Sequence, residues 1–371
     1  MMRPFTALVK PASSGCNMRC RYCFYADEAR SRAVANYGMM TLDTLECLVK
    51  KAFEYATGPV SFAFQGGEPT LAGLDFYRAL MALEKKYNQR RLPVSNAIQT
   101  NGLLIDNEWA AFLRENRFLV GLSMDGYGAL HDALRPDAAG RGTFARACEA
   151  AELMTRQRVD FNILCVVSGP VARHGEKVYR YFRNHRYGYL QFIPCLDPLD
   201  DAPGEWSLSA EAYGRFLRET FALYYDDFMS GHPVSVRQFD NYVGMLLGRP
   251  PESCGMSGVC ASYFTVEGDG SVYPCDFYVL DQWKMGDINT DSIEAIAASE
   301  AGRRFVEASR PVHEKCAACR WLPICRGGCR RNREPLDANT LNQFCPAYEA
   351  FFEYAYEGLR RIATAVQARS R

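Results

Sequence analysis

The chain has 371 residues, 48% of them hydrophobic, enough to fill the core of one large α/β domain and a smaller companion. Lys plus Arg and Asp plus Glu both total 43, which leaves no net field to draw the chain to nucleic acid or an anionic membrane, and no run of about 18 apolar residues could cross one. No apolar leader with a small-residue cleavage site opens the sequence, and fifteen cysteines without an export signal predict a reduced, cytoplasmic protein whose thiols ligate metal.

Between residues 5 and 230 short β-type runs alternate with segments of helical period, the pattern of βα units on a parallel sheet. The predicted strands are 5–10, 60–65, 94–100, 118–124, 159–167 and 189–194. Predicted helices fill 42–56 behind a Thr41 cap, 74–88, 106–116, 143–157 opening near Thr143, 172–186, and Ser209 to about 229. Six such units are too few for a closed eight-stranded barrel, so the expected fold is α/β, a partial (β/α)6 TIM-like barrel with reactive loops at the strand C-termini. After residue 240 the pattern breaks into Cys- and Gly-rich segments, with a hairpin in "YFTVEGDGSVYPCDFY" turning at Gly268 to Gly270 and a C-terminal apolar-striped helix. The division expected is 1–235 for the barrel and 236–371 for a second, cysteine-rich domain.

"SGCNMRCRYCFY" follows the first strand and holds Cys16, Cys20 and Cys23 at C-x3-C-x2-C. Three thiolates are one short of a closed zinc site or a fully ligated four-iron cluster. Either a remote residue completes a zinc site, or a cube of iron and sulfur keeps one iron open for a chelating small molecule. "FAFQGGEPTLAG" ends the second strand with a glycine turn that exposes backbone at the cavity, and "LSMDG" with "HDALRPD" adds Ser123, Asp125 and Arg135 after the fourth. Farther on, Cys254, Cys260 and Cys275 stand at C-x5-C-x14-C, Cys316, Cys319, Cys325 and Cys329 at C-x2-C-x5-C-x3-C, and Cys345 follows. Eight thiols would serve two zinc ribbons or two four-iron clusters, and the spacings do not repeat as paired knuckles. Cys47, Cys148 and Cys165 fall in regular helix or strand patterns and read as small hydrophobes, as does Cys195 at the end of the sixth strand.

These motifs, in this order, resemble the radical S-adenosylmethionine superfamily, and the second cysteine field resembles its SPASM extension. "KPASSGCNMRCRYCFY", "FAFQGGEPTLAG", "FLVGLSMDG", "FNILCVV", "DGSVYPCDFYVLD" and "CRGGCRR" together closely resemble anaerobic sulfatase-maturating enzymes over nearly the whole chain. The resemblance implies three [4Fe-4S] clusters and S-adenosyl-L-methionine. Cys16, Cys20 and Cys23 would hold the cofactor-binding cluster; Cys254, Cys260, Cys275 and Cys329 the first auxiliary cluster; Cys316, Cys319, Cys325 and Cys345 the second. Tyr22, Gly67, Ser123, Arg135 and Leu196 would touch the cofactor, with Glu68 and Gln99 nearby, while Tyr25, Gln65 and Gln191 would line the substrate cavity. Asp276 matches the family's catalytic base.

The implied reaction oxidises a cysteine, in some members a serine, of an unfolded sulfatase segment C/S-x-P-x-R to Cα-formylglycine, after a 5′-deoxyadenosyl radical takes a Cβ hydrogen. The implied partners are that sulfatase polypeptide and an electron donor such as flavodoxin or ferredoxin, with no nucleic acid or membrane; a monomer is the default expectation. The competing reading keeps the clusters and makes the chain a maturase of another ribosomal peptide, forming a thioether or crosslink or epimerising a residue. Only 15 residues precede Cys16, where such maturases often carry a peptide-binding domain, and this favours the sulfatase reading.

Overall fold

The computed structural model describes residues 2–199, 202–334 and 340–369. Among these residues ten strands follow in chain order: β1 (Phe5–Val9), β2 (Val60–Phe64), β3 (Val94–Thr100), β4 (Leu119–Ser123), β5 (Phe161–Val167), β6 (Tyr189–Pro194), β7 (Ser235–Val236), β8 (Phe264–Val266), β9 (Ser271–Tyr273) and β10 (Gly286–Asp287). The chain divides into two compact units: Met1–Ser123 with Arg135–Phe161 and Ser262–Phe305, and Met124–Leu134 with Asn162–Ala261 and Val306–Arg371.

In the first unit β1 to β4 lie side by side and parallel, in register Phe5↔Val60, Phe62↔Asn96 and Ile98↔Val120. Strict alternation drives this: Phe5, Ala7 and Val9 of β1 and Val60, Phe62 and Phe64 of β2 are buried. The helix Leu42–Tyr55 begins at Thr41, whose hydroxyl accepts from the Thr44 backbone N–H at 3.1 Å, as read from the sequence. It buries Leu45, Leu48, Val49, Ala52 and Phe53, each large side chain contributing about 1.5–3 kcal/mol. Helices Leu74–Tyr87, Asn107–Glu115 and Phe144–Gln157 also lie close to their predicted spans, although Thr143 makes no side-chain cap.

The cysteine-rich hairpin is present, with Val266 opposite Val272 and Gly270 at a φ of 95°. It does not stand apart: β8 pairs parallel with β1, Ala7 opposite Phe264, and β10 pairs with β9. The edge of β1 left bare by β2 is thereby filled from a segment more than two hundred residues later.

In the second unit β5, β6 and β7 pair parallel, Ile163↔Leu190 and Tyr189↔Ser235. The helix expected from residue 172 begins instead at Gly175, because Ser168 and Pro170 start a separate turn, Gly169–Ala172. The helix Ala210–Met229, capped by Ser209, packs on the C-terminal helix Cys345–Arg369. A Cβ on Gly214 would stand 3.1 Å from the Ala347 Cα, so two small residues set the approach, and Phe351 fills the seam against Phe221 and Phe239 at ring distances of 5.7 and 5.6 Å. Among the described residues β10 and β7 each have a strand neighbour on one side only, so the sheet is not closed. No helix among the described residues is long and apolar enough to cross a membrane.

Candidate active site

The loop after β1 carries the first three cysteines and is fastened to the turn after β2 backbone to backbone. Gly67 donates to the Ser13 carbonyl at 2.8 Å and Glu68 to that of Gly15 at 2.7 Å. A Cβ on Gly67 would lie 2.0 Å from the Gly15 carbonyl oxygen, so only glycine fits there. Cys23 is the N-cap of the helix Phe24–Arg30, which sequence periodicity did not reveal. All three thiols are half-buried and feel one another electrostatically; burial pushes Cys16 up to about 12, with Glu68, Cys20 and Cys23 adding to the rise. Three soft sulfur donors on one loop suit iron bound as a cluster.

Both carboxylate oxygens of Glu68, which is 1% exposed, are engaged. Oε1 accepts from the Thr70 N–H and hydroxyl and from the Thr100 hydroxyl, and Oε2 from the Asn101 N–H at 2.8 Å. Glu68 thus ties the glycine turn to the end of β3. Beside it Gln99 donates to the Ser123 hydroxyl at 2.9 Å, and Arg135 donates from Nη1 to the Tyr22 hydroxyl at 2.7 Å. The residues proposed for the cofactor therefore pair with one another at the C-terminal ends of β1 to β4. Leu196 belongs to the second unit, half-buried after β6.

Asp276 begins a short turn, Asp276–Tyr278, directly behind Cys275. Its Oδ2 accepts from the Tyr25 hydroxyl at 2.7 Å and from Gln65 Nε2 at 3.0 Å, which brings two expected cavity-lining residues onto the expected base. Oδ1 is sealed from solvent and has no hydrogen-bond partner. Gln191, the third cavity residue, lies in the second unit, where its Oε1 accepts from Arg237.

A buried ion cluster adjoins this carboxylate. Lys10, 1% exposed, pairs with Glu267 at 2.8 Å and Glu28 at 3.6 Å, and Arg32 reaches Glu267 at 2.9 Å. Burial opposes the charge of Lys10, but Glu28, Glu267 and Asp276 outweigh it and hold the ammonium above its usual range. Burial also opposes the charge of Glu267, where Lys10 and Arg32 win and keep the carboxylate ionised. With two cations facing three carboxyls, burial raises both Glu28 and Asp276, and Lys10 counters it in each. Nothing in the periodicity of the sequence marks Lys10, Glu28, Arg32 or Glu267, because a polar residue after a strand reads as solvated.

In the second unit Cys316, Cys319, Cys325 and Cys345 line one cavity with Trp321, Tyr348 and Phe352. Burial raises Cys325 to about 11, and Cys345, Cys316 and Cys319 add to it. Cys254 and Cys260 act likewise on Cys329, which burial pushes up to about 12. Cys275 is in the first unit. Among the described residues no group of three or more His, Cys, Asp or Glu side chains is placed to hold a metal ion, whereas four thiols around an apolar cavity match the wider demand of a cluster. Of the remaining cysteines, Cys165 and Cys195 are buried, and Cys47 and Cys148 half-buried. Asp125 is buried and accepts at Oδ1 from the Val166 N–H at 3.0 Å, a loop-tying role.

Residues 11–181 match the radical SAM superfamily and residues 254–320 an iron-sulfur cluster-binding domain, SPASM. The chain is 47% identical to a cysteine-type anaerobic sulfatase-maturating enzyme of Clostridium perfringens (strain 13 / Type A), over 99% of this chain and 100% of that one. It is 31% identical to a serine-type enzyme of Klebsiella aerogenes, over 96% and 86%. A solved structure, native anSMEcpe with bound AdoMet and Cp18Cys peptide, superposes with a TM-score of 0.94 at 47% identity, covering 98% of this chain and 100% of that one. The two domain matches and the full-length identity thus make the chain a radical S-adenosylmethionine enzyme of the kind that carries [4Fe-4S] clusters, and the chain belongs to the cysteine-type anaerobic sulfatase-maturating enzymes.

Proposed function

We propose that this enzyme converts the cysteine of a C-x-P-x-R segment in an unfolded sulfatase to Cα-formylglycine, with Asp276 as the base. The observation that carries the reading is the Asp276 carboxylate: Tyr25 and Gln65 hold Oδ2, and Oδ1 is left buried and unpartnered.

S-adenosylmethionine bound with the first cluster would supply a 5′-deoxyadenosyl radical, and the auxiliary clusters would supply a sink for one electron. Cys16, Cys20 and Cys23 would ligate the first cluster. The turn at Gly67, braced by Glu68, and the pairs Tyr22 with Arg135 and Gln99 with Ser123 would orient the cofactor, joined by Leu196. The target residue loses a Cβ hydrogen atom, then its thiol proton to Oδ1 of Asp276 and one electron. The thioaldehyde that remains takes up water and releases hydrogen sulfide, leaving the aldehyde.

Tyr25 and Gln65 keep the carboxylate aimed, and Gln191 would line the peptide path. Cys316, Cys319, Cys325 and Cys345 form one proposed auxiliary ligand set. Cys254, Cys260 and Cys329 form the core of the other, and Cys275 is assigned to it on the resemblance alone. We place the radical part at 1–235 and the auxiliary-cluster part at 236–371, in a cytoplasmic monomer reduced by a flavodoxin or ferredoxin.

The test is anaerobic turnover of the reconstituted enzyme with dithionite, S-adenosylmethionine and a C-x-P-x-R peptide. A peptide mass loss of about 18 Da, with matching 5′-deoxyadenosine, is the expected product. Deoxyadenosine without that loss would reject the sulfatase segment as substrate and point to another ribosomal peptide.

A further inference from the structure

We propose that Asn101 is a positioning residue that sets the reduction potential of the cluster held by Cys16, Cys20 and Cys23, an inference that rests on reading those three cysteines as its ligands. Asn101 follows β3 and is 7% exposed. The residue is fixed through both its backbone and its side chain. The backbone N–H is spent on Glu68 Oε2 at 2.8 Å, and Oδ1 accepts from the Leu103 N–H at 2.9 Å. That orientation leaves Nδ2 facing the cysteine loop, where it donates to Asn17 Oδ1 at 2.7 Å and reaches Cys16 Sγ at 4.0 Å. The Met18 N–H also points at this sulfur, at 3.4 Å.

Hydrogen bonds to cluster sulfurs tune potential, because an N–H stabilises the more negative, reduced state. The step concerned is addition of one electron to [4Fe-4S]2+, giving [4Fe-4S]+, with no bond made or broken. The electron comes from a low-potential donor, dithionite in the assay. Cys16 is thus the ligand through which two N–H groups favour reduction, and one of them depends on a side chain from another strand. The same carboxylate that braces the glycine turn, Glu68, holds the Asn101 backbone from which that side chain extends. The two halves of the cofactor site are held in one hydrogen-bonded chain from Thr70 through Glu68 and Asn101 to Asn17.

The test uses the full chain, reconstituted anaerobically without peptide and titrated with dithionite. Paramagnetic resonance follows the reduced signal that changes when S-adenosylmethionine is added, which separates the first cluster from any other. Asn101→Ala is expected to lower the equilibrium constant for reduction about tenfold, 59 mV for one electron. Asn101→Asp, nearly isosteric, loses the donor, adds a negative charge and falls further. Asn17→Ala frees Nδ2 from its other acceptor and leaves the potential equal or higher. An unchanged potential in Asn101→Ala or Asn101→Asp at full iron content, or an equal fall in all three variants, overturns the inference. A missing cofactor-responsive signal in the unaltered chain overturns the ligand reading and this inference with it. A failure to make formylglycine, with the potentials shifted as stated, rejects only the proposed substrate.

Discussion

The hydroxyl of Tyr25 donates to Oδ2 of Asp276 at 2.7 Å from 251 positions away in the chain, joining the first cysteine helix to the residue behind Cys275. Replacing Asp276 with Asn keeps the shape of this contact and removes the proton acceptor. Formylglycine formation is expected to fall about 100-fold or more, the lower range for losing a general base, while 5′-deoxyadenosine still appears. Peptide mass spectrometry alongside nucleoside chromatography checks both, and full product from the Asn variant would end the assignment.

Tyr25→Phe removes one of two donors to that oxygen without touching a cysteine. A hydrogen bond to a charged group is worth about 1.5–3 kcal/mol, so a fall of about tenfold or more in formylglycine rate is expected at unchanged iron content. A rate equal to that of the unaltered enzyme would show that Gln65 alone orients the base.

Gly67→Ala inserts a methyl group 2.0 Å from the Gly15 carbonyl oxygen, a distance that backbone must move to relieve. The cysteine loop should be displaced, and bound iron should drop from about twelve to about eight per chain as the first cluster is lost. Iron analysis with absorption spectroscopy decides it.

Cys345→Ala opens the thiol set around the cavity that Trp321, Tyr348 and Phe352 line. Iron is again expected near eight per chain, but this time the cofactor-responsive signal should persist, because the first loop is intact. Loss of that signal as well would contradict the proposed grouping of thiols.

Stability should carry a pH signature from Glu84, which burial raises to about 7 although it accepts from Asn96 Nδ2 at 2.9 Å. Between the ordinary value of 4.5 and about 7 the folded chain holds a proton that the unfolded chain has released, so stability falls as pH rises through that window and stays lower above it. Glu84→Gln removes the dependence and offers an amide donor to the buried, unpartnered Oδ1 of Asn96. It should stabilise the protein by on the order of 2 kcal/mol at pH 8 and by little at pH 4.5. Melting curves at the two values check the difference.

Local pattern carried far in this chain. The bounds of β3 and β6 coincide with the predicted runs, because each alternates cleanly and stops at a loop. The six parallel strands and the thiol spacings were likewise legible, and the motifs pointed to the family. The pairing of β8 with β1 was not, since a three-residue strand holds no information about a distant edge. Tyr25, Gln65 and Asp276 could each be named, but their meeting on one carboxylate oxygen is a product of that pairing. Asn101 and Lys10 went unnoticed because the features that matter, a fixed amide plane and a desolvated ammonium, exist only after folding. The polar run "QTNG" at the end of a strand is the signal that could have drawn attention to Asn101.

The hairpin laid against β1 also governs how the protein can be made and cut. A chain ended at residue 235 would leave the outer edge of β1 as an open row of backbone donors and acceptors, an invitation to intermolecular pairing. During synthesis that edge stays exposed until the ribosome has passed residue 266, and completion of the first unit waits on translation to Phe305, most of the polypeptide. Expression of residues 1–235 alone is expected to yield aggregate, and supplying 254–371 in trans would be the route to rescue it.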